Sequence, residues 1–536
     1  MPISVRNLRL NLGENPELLP ERAARRLRVP AGEIGLYAIV RRSIDARRRG
    51  EVFYSYNLQV TLRDRAAERR VVARLHRRDV ELLRAPERQE LRPGTEPMPE
   101  RPIIVGFGPA GMFAGLLLAE HGYRPIILER GRDVSKRHRD ILRDFYRQGR
   151  FHPESNLLYG EGGAGTYSDG KLYTRVHDSR VDLVMRTLFR FGIDPNLLID
   201  ARPHAGSDRL PGICRRVRLQ IESLGGQVQF ERRLSGLRIE DGRLKALTVG
   251  PERLAAPVCI LATGHSARDT YAMLAAAGVK LVSKPYQMGL RIEHPQGMVN
   301  RWQYGEAAAC DTLPAAEYQV VAKGVVPDGS NVFSFCMCPG GEVLVTNEVP
   351  GLLATNGASR SQRQGPLASS GLVLTLEGSE HGDDPLAAIA FQRSWEEQAF
   401  ELTGRTYRLP CQRAADFLAG RLSDGEMRTS CPLGADWADI RRIVPHYVHE
   451  AIARALIVLE ERMPGYAGQD AILTGPETRG SAPIRVLRDR VSRESVTVRG
   501  LYPVGEGAGY AGGIVSSAVD GLKTAEVLMA RYAPPS

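Results

Sequence analysis

Apolar and polar positions change their spacing along the chain, and each change predicts an element. Residues 3–10 alternate between apolar and polar side chains, as in a half-buried strand. Residues 16–27 repeat apolar side chains at helical spacing, and two further strands are predicted at 36–40 and 52–62. The start of the chain is therefore predicted to form a small α+β domain.

The segment between the last two strands, residues 41–50, is rich in arginine. We expect a hairpin loop there that presents Arg47, Arg48 and Arg49 to solvent. Five prolines then predict an extended linker over residues 85–102. A domain boundary near residue 98 follows.

The strongest pattern comes directly after this linker. Residues 103–105 form a short buried-strand pattern, and Gly106, Gly108 and Gly111 give the spacing G-x-G-x-x-G ahead of an apolar helix at 112–120. In such a turn the first glycine allows the bend, the second allows close approach to a pyrophosphate, and the third lets the helix lie against the sheet. Strand, turn and helix in this order predict a dinucleotide site.

A second strand ends at Glu129, 21 residues after Gly108. A carboxylate at this distance accepts hydrogen bonds from ribose hydroxyls and repels a 2′-phosphate. We therefore expect the nucleotide to be an unphosphorylated adenosine.

A second glycine-rich loop repeats the same spacing at Gly160, Gly162 and Gly165. Polar residues follow it instead of an apolar helix, and no strand ending in an acid stands at the right distance, so a second nucleotide fold is rejected. We expect a loop whose free N–H groups lie against a flat or anionic ligand.

The remaining chain mixes strands and helices. Strands are predicted at 234–239, 244–249, 258–264, 286–294, 332–345 and 500–507, and helices at 210–224, 385–402, 445–463 and 516–531. The Asp-Gly pair between the first two of these strands predicts a tight hairpin.

Composition narrows the class of protein. The 536 residues are 43% hydrophobic and 25% charged, as in an ordinary globular protein of several domains. The N-terminus lacks a signal-peptide pattern and no uncharged run is long enough to cross a bilayer, which predicts a cytoplasmic location. Seven scattered cysteines argue against a disulfide framework or a four-ligand zinc module, and no metal site is expected.

The net charge of +11 is unevenly distributed. Residues 1–100 hold 21 arginines, no lysine and 14 acidic residues, and so carry +7 of it. A basic surface attracts nucleic acid or other anionic partners. Because the acids are interspersed, we favour a solvated, salt-bridged face, and RNA contact stays open as the alternative.

Several motifs together resemble known flavoproteins. The series GFGPAG, strand-end glutamate, Asp-Gly hairpin, ILATGH and LYPVGEGAGYAGG is similar to flavoproteins with the glutathione-reductase-like FAD fold. Along nearly the whole chain, SIDAR, GEGGAGTYSDGKL, FCMCPGG, GPETRGSAPIR and VGEGAGYAGGI resemble a bacterial family of uncharacterised FAD-dependent dehydrogenases. No substrate is assigned to that family.

The resemblance implies an α/β protein with a Rossmann-type FAD-binding domain that an α+β substrate domain interrupts. The expected bounds are 1–98 for the small, basic N-terminal α+β domain, 99–285 and 481–536 for the two parts of the FAD-binding domain, and 286–480 for the substrate domain. The expected cofactor is one non-covalent FAD per chain.

Roles in the superfamily carry over by position. The resemblance implies that the pyrophosphate lies at Gly106, Gly108, Pro109, Ala110 and Gly111, the adenosine at Glu129 and Arg130, and the adenine at the backbone of Leu234. It implies further cofactor contacts at Thr263, Gly264, Gly505, Glu506, Gly513 and Ile514, the last two with N–H groups directed at the flavin pyrimidine. The superfamily often has aspartate where this chain has Glu506, which is one methylene longer.

The second glycine-rich loop is the candidate border of the flavin ring. Its expected contacts are Gly162, Gly163, Ala164 and Thr166, and Lys171 is the fixed cation that follows them. An ammonium near flavin N1 or a substrate carboxylate stabilises an anion, which makes Lys171 the candidate catalytic residue. A solvent-facing loop charge is the alternative.

Cys336 and Cys338 lie two apart on a predicted strand and so share a face. A redox dithiol beside the flavin is one interpretation, but a C-x-C ring is strained and we favour packed sulfurs. Other side chains could contact substrate or metal, namely Arg291, His294, His446 and His449. We favour a structural role for the last two.

Two functions are consistent with this sequence. The first is an FAD-dependent oxidoreductase that accepts a hydride from an unidentified small molecule. The second is an RNA-associated flavoprotein or scaffold that acts through the basic N-terminal domain. Because no second nucleotide fold is present, NAD(P)H must dock transiently if it donates electrons.

Overall fold

The computed structural model describes residues 1–48, 50–83, 91–326 and 328–535. Arg49 of the predicted arginine hairpin and residues 84–90, which include part of the predicted linker, lie outside the described residues. The N-terminal elements are β1 (Ile3–Asn11), α1 (Leu19–Leu27), β2 (Ile34–Arg48), β3 (Glu51–Leu62), α2 (Ala67–Leu75) and β4 (Val80–Leu82). The four strands form an antiparallel sheet in the order β2-β3-β1-β4, and apolar residues of both helices join its core.

The arginine hairpin differs from its prediction. Strand β2 continues through Arg41, Arg42, Arg47 and Arg48 and pairs with β3 up to Arg48, so these arginines lie on a strand and not on a loop. The charged residues of this strand are interrupted by Ser43, Ile44 and Ala46. Because Ile44 and Ala46 pack against the largest apolar core of the chain, the strand extends through the arginines.

The middle of the chain contains β5 (Ile103–Val105), α3 (Pro109–Glu120), β6 (Ile126–Leu128), α4 (Val134–Arg139), α5 (Tyr146–Gln148), α6 (Arg180–Arg190), α7 (Leu210–Ser223), β7 (Gln227–Gln229), β8 (Leu234–Glu240), β9 (Arg243–Val249), β10 (Glu252–Ala255), β11 (Cys259–Leu261), α8 (Arg268–Ala276) and β12 (Leu281–Ser283).

The C-terminal half contains β13 (Tyr286–Pro295), α9 (Gln296–Tyr304), β14 (Val321–Ala322), β15 (Val332–Cys338), β16 (Glu342–Thr346), β17 (Ala354–Ala358), β18 (Leu367–Leu376), α10 (Ala387–Leu402), β19 (Leu409–Arg413), α11 (Ala414–Ala419), β20 (Ala435–Trp437), α12 (His446–Arg462), β21 (Ile472–Glu477), β22 (Ile484–Val486), β23 (Leu501–Pro503) and α13 (Ile514–Arg531).

A parallel five-stranded sheet in the order β23-β11-β5-β6-β7 forms the centre of the nucleotide-binding part. Four of its strands are short, largely buried runs because both faces of the sheet are covered, whereas the edge strand β7 is Gln-Val-Gln and partly exposed. Ile104 faces the helices α3, α7 and α13, whereas Ile103 and Val105 face the small antiparallel sheet β10-β9-β8. Strand β23, near the C-terminus, completes this sheet.

A seven-stranded sheet in the order β14-β15-β18-β13-β21-β19-β20 forms the second large layer. Helix α12 packs against β13 and β18. The strand predicted at 332–345 is in fact two strands, because Pro339, Gly340 and Gly341 end β15, and β16 then pairs with β17 in a separate sheet.

These layers confirm the predicted α/β fold class, with a Rossmann-type parallel sheet and two further α+β parts. The predicted domain bounds stay predictions. No helix among the described residues is both long and apolar enough to cross a membrane.

Candidate functional site

A cavity of about 830 Å³ lies at the carboxyl ends of β5, β11 and β23. Helices α3 and α13 begin at its wall, and it extends to β15 and β17 of the C-terminal half. Open α/β sheets bind their ligands at this edge, and sites for cofactors occupy roughly 300–1,000 Å³. The cavity is therefore the candidate functional site.

The three glycines of the first turn have different surroundings. Gly106 has φ +101°, and a β-carbon added to it would lie 2.4 Å from the carbonyl oxygen of Ala262. A β-carbon on Gly111 would lie 2.0 Å from the carbonyl oxygen of Gly106. One on Gly108 would meet only the Cα of Gly163, at 3.9 Å, and would point into the open cavity. Gly106 and Gly111 are required by the turn itself, and Gly108 leaves space for a ligand.

Helices α3 and α13 cross closely enough to bring their N-termini to the same cavity wall. A β-carbon on Gly521 of α13 would lie 2.1 Å from the carbonyl oxygen of Ala110 on α3. Gly513, at the N-cap of α13, has no atom within 4 Å of an added β-carbon except Ser516 Oγ at 4.0 Å. Two helix N-termini with open space before them suit a bound pyrophosphate and an anionic ring.

The second glycine-rich loop lies on top of the first. The Gly162 N–H donates to the carbonyl oxygen of Phe107 at 2.9 Å, and an added β-carbon on Gly163 would lie 3.1 Å from Gly108 Cα. Gly163 and Ala164 line the cavity. Gly162 and Thr166 do not, because the Thr166 hydroxyl is buried and donates to the carbonyl oxygen of Glu161.

Glu129 is buried at the end of β6 and lines the cavity. Its Oε2 accepts a hydrogen bond from the N–H of Phe107, and its Oε1 accepts from Gly131 and Gly160, each at 2.9 Å. A carboxylate has about four lone-pair positions. One position is left unused, and the bonds to Phe107 and Gly160 tie the two glycine-rich loops together. The predicted contact of Glu129 with a ribose stays a prediction.

Arg130, also at this end of the cavity, is already paired. Its Nε donates to Glu154 at 2.8 Å and its Nη1 donates to Asp269 at 3.0 Å. The guanidinium lies 3.9 Å from the centre of the Tyr159 ring. Arg130 therefore forms a fixed part of the wall at this end of the cavity.

Glu506 and His265 are neighbours in the wall of the cavity. His265 Nδ1 lies 3.4 Å from Glu506 Oε1. Burial raises the pKa of Glu506 to about 7, and the positive charge of Lys284 acts against this shift. Burial lowers the pKa of His265 to about 4, with further lowering by Arg479 and Arg268. Near neutral pH the histidine is neutral and Glu506 is half-protonated.

The Glu506→Gln variant is expected to change how the stability of the FAD-free protein depends on pH. The pKa of Glu506 is raised from 4.5 in the unfolded chain to about 7 in the folded protein. The contribution of its neutral carboxyl to the free energy of unfolding is therefore fully present below pH 4.5 and is lost as the pH rises through 7. At pH 8 the variant should be more stable than the wild type by about 3 kcal/mol, and at pH 4.5 the difference should vanish. Chemical denaturation at both pH values measures this, and an equal difference at both would contradict it.

Lys171 lies in the cavity wall with its side chain 21% exposed. Its ammonium donates to Asp169 at 2.8 Å and to the carbonyl oxygen of Met337 at 2.6 Å, and Arg363 donates to the same aspartate. Burial alone raises the pKa of Asp169, but the charges of Lys171 and Arg363 more than offset it and hold that pKa below its ordinary value. The alternative of a solvent-facing loop charge is therefore wrong.

Cys336 and Cys338 differ from each other. Both line the cavity. A bulge between Phe335 and Cys338 gives Cys336 φ +43° and leaves it exposed, whereas Cys338 is buried. Of the two cysteines, only Cys338 has the packed sulfur that we favoured from the sequence.

The other histidine and arginine candidates do not line the cavity, although Arg291 lies directly behind Cys336 and Gly357 of its wall. Arg291 is fully buried and pairs with Glu477 at 2.8 Å, and His294 is hydrogen-bonded to the carbonyl oxygen of Tyr466. Rings of the pair at positions 446 and 449 contact each other edge to face. No group of three or more potential metal ligands occurs in the described part of the chain.

Most predicted cofactor residues lie together around the cavity. The lining contains Gly106, Gly108, Pro109, Ala110, Glu129, Arg130, Gly163, Ala164, Leu234, Thr263, Gly264, Gly505, Glu506, Gly513 and Ile514. The structure does not place Gly111, Gly162 or Thr166 in that lining, because they pack behind it. The cofactor-binding roles of all these residues, inside and outside the lining, stay predictions.

Sequence reasoning missed the opposite wall. It contains His265, Phe335, Asn356, Gly357 and Arg479. His265 directly follows the Ala-Thr-Gly strand end, and Arg479 lies within GPETRGSAPIR, so both stood in motifs to which no role was given. Phe335 likewise opens the motif FCMCPGG, whereas Asn356 and Gly357 carried no signal in the sequence.

Comparison with known proteins identifies relatives. Residues 285–480 match the family model described as FAD-dependent protein, C-terminal domain-like, and residues 2–61 match a domain of unknown function (DUF8436). An uncharacterised protein from Clostridium beijerinckii is 39% identical over 538 residues, which cover 100% of both chains. This chain belongs to the family of that protein.

Solved structures show weaker likenesses. L-proline dehydrogenase from P. horikoshii is 9% identical with TM-score 0.37, covering 81% of this chain and 93% of that one. Glycine oxidase from Geobacillus kaustophilus is 13% identical with TM-score 0.34, covering 81% of this chain and 96% of that one. TM-scores this low carry no weight for substrate or mechanism.

FAD is the cofactor, as predicted, since the match over residues 285–480 is to an FAD-dependent family. The residues present fit this group, because the cavity joins two helix N-termini, a strand-end carboxylate and glycines that leave room before them. Membership of the glutathione-reductase-like superfamily stays a prediction.

Proposed function

We propose that this protein is an FAD-dependent oxidoreductase that oxidises a small molecule by hydride transfer to non-covalent FAD. One observation carries the proposal: a continuous cavity joins the glycine turn at Gly108 to the wall at Phe335, Cys336 and Arg479. The first end matches the requirements of a dinucleotide, and the second comes from the segment with the FAD-dependent family match. The space between them is where a substrate would meet the flavin.

The proposed roles follow the cavity from one end to the other. Glu129 would accept from the ribose, and the first turns of α3 and α13 would hold the pyrophosphate and the pyrimidine edge of the ring. Bound FAD supplies a two-electron acceptor. Lys171 would stabilise negative charge at the substrate end, and the closed walls would exclude water from it.

Anaerobic spectroscopy tests the proposal. The purified chain should be yellow, with one FAD released per chain on denaturation, and a metabolite pool should bleach the flavin without oxygen. A colourless protein that cannot be reconstituted with FAD would disprove the proposal. Bleaching by NADH or NADPH alone would make the nicotinamide nucleotide the transient electron donor.

Removal of residues 1–90 is expected to leave FAD binding and substrate-driven bleaching intact. The N-terminal domain contacts the rest through Arg42 with Asp200 at 2.8 Å and Tyr54 with Thr312 at 2.7 Å. Ile44, Ala46 and Val52 also pack on the large apolar core, but none of the domain's described residues lines the cavity. Met98 is kept because it packs in the core with α3 and α13. FAD content and bleaching rate measure this, and loss of bleaching with FAD retained would favour a role for the N-terminal domain.

A further inference from the structure

Strand β2 lies at an edge of the N-terminal sheet, because β3 is the only strand of that sheet beside it in the described chain. Its outer side is covered at Arg42. The N–H of Arg42 donates to the carbonyl oxygen of Ile199 at 2.5 Å, and the carbonyl oxygen of Arg42 accepts from the N–H of Ala201 at 2.8 Å. Among the described residues nothing pairs with the outer side of residues 35–40, which we call the free edge.

The free edge has the sequence Gly-Leu-Tyr-Ala-Ile-Val and carries no charge. Leu36 is 69% exposed, and Tyr37 and Val40 are each 44% exposed. Proteins usually protect an edge strand with charged residues, proline or a very short length, because its unpaired N–H and C=O groups bind other strands. The opposite edge is protected in this way, since β4 has three residues with Glu81 at its centre. The free edge is therefore a surface that another strand can join.

Two bulges bound the regular part of the free edge. They lie between Ile34 and Leu36 and between Ile39 and Arg41, so the four residues from Leu36 to Ile39 pair with β3 in unbroken register. A strand that joins the free edge is therefore limited to a short ladder around Tyr37.

Opposite charges stand at the two ends of the free edge. Glu33 lies shortly before it and Arg41 directly follows it. Both residues are exposed, and neither side chain has a hydrogen bond or an ion pair within the described part of the chain. A strand with an acid at one end and a base at the other is complementary to an antiparallel copy of itself.

Symmetry restricts how two copies of the free edge can pair. A twofold axis relates two copies that pair through the same strand, and it requires one residue to face its own copy. When that residue is Tyr37, Glu33 of each copy lies near Arg41 of the other, and uncharged residues oppose each other between them. A register centred on Leu36 or Ala38 would instead set both charges opposite uncharged residues.

We infer that the free edge binds a second copy of this chain, which joins two N-terminal sheets into one antiparallel sheet of eight strands. This pairing satisfies the outward N–H and C=O groups and covers Leu36 and Tyr37. It also adds two ion pairs between Glu33 and Arg41. Because one segment carries the apolar ladder and both charges, it is self-complementary, as a twofold interface must be. Assembly is thus a role of the N-terminal domain that does not depend on the proposed oxidoreductase function.

Sedimentation velocity of the FAD-loaded full chain tests the inference. Chain concentrations from about 0.1 to about 100 μM cover the affinity expected of a small interface. The wild type should reach twice the mass of one chain within this range. A chain that stays monomeric at every concentration would overturn the inference.

Tyr37→Lys is expected to weaken the dimer, because it places two ammonium groups opposite each other at the twofold axis. Its Kd should rise at least about tenfold. Ile457→Lys is the matched control, since Ile457 lies on α12 and is 55% exposed, and this variant should dimerise as the wild type does. FAD content and unfolding temperature show that each variant is folded. No effect of Tyr37→Lys, or an equal effect of both variants, would overturn the inference.

Two charge reversals test the register itself. Glu33→Arg and Arg41→Glu each turn both ion pairs into repulsive pairs, so at low salt each variant alone should dimerise about tenfold more weakly. Mixed in equal amounts, the two variants regain both attractive pairs in a heterodimer, and dimer should form at about the wild-type concentration. Full dimerisation of each variant alone would place the interface elsewhere and overturn the inference. A mixture that dimerises no better than its components would overturn it as well.

Discussion

Gly108→Val is expected to give a folded, colourless protein that cannot bind FAD. Gly108 has ordinary negative φ, and its added β-carbon would meet nothing closer than 3.9 Å, so a valine fits the turn without strain. The side chain would fill the space where the second glycine of this motif admits a pyrophosphate. FAD affinity should fall at least about 100-fold, which is about 2.7 kcal/mol. Fluorescence titration of the FAD-free protein measures it.

The neighbouring Gly111→Val is the matched control. Its added β-carbon would lie 2.0 Å from the carbonyl oxygen of Gly106, so this variant should lose the folded state itself. Circular dichroism and thermal unfolding distinguish the two results. Wild-type FAD affinity in Gly108→Val would show that the pyrophosphate lies elsewhere.

Lys171→Met is expected to keep FAD but to lower the flavin reduction potential and slow flavin reduction at least about tenfold, or about 1.4 kcal/mol. The ammonium is fixed between Asp169 and the Met337 carbonyl in the cavity wall, where little water screens its charge. Asp169 keeps Arg363 as a partner in the variant, so the change removes one positive charge from the wall without leaving the carboxylate unpaired. Potentiometric titration and anaerobic stopped-flow absorbance give the two quantities.

Lys136→Met is the control for this variant. Lys136 is exposed and lies 3.9 Å from Asp133, and it does not line the cavity. It should change neither the potential nor the rate. An unchanged potential and rate in Lys171→Met as well would remove Lys171 from the mechanism.

The nucleotide half of the site was predictable because its signals are local. The strand, the turn at Gly106 and Gly108, the helix and Glu129 lie within one short stretch, and the backbone geometry of such a turn depends mainly on its own residues. The cofactor itself agrees with the family match. The residue-by-residue contacts stay predictions.

The substrate half was not predictable, because residues far apart in sequence build it. Arg479, Asn356 and His265 come from three separate segments, and only the packing of the seven-stranded sheet against the nucleotide-binding part brings them to one wall. The period of a strand also predicts nothing about bulges. The bulge in β15 is what makes Cys336 exposed while Cys338 is buried.

The arginine hairpin shows the same division between local and tertiary causes. Charge and missing apolar periodicity predicted a loop, yet β2 continues because β3 pairs with it and the large core covers Ile44 and Ala46. By itself the sequence determined the α/β class and the dinucleotide turn, since these depend on period and on glycine spacing. FAD was implied by the resemblance to known flavoproteins. Only the tertiary structure decided which charges are paired and which are buried, because those properties belong to neighbours in space.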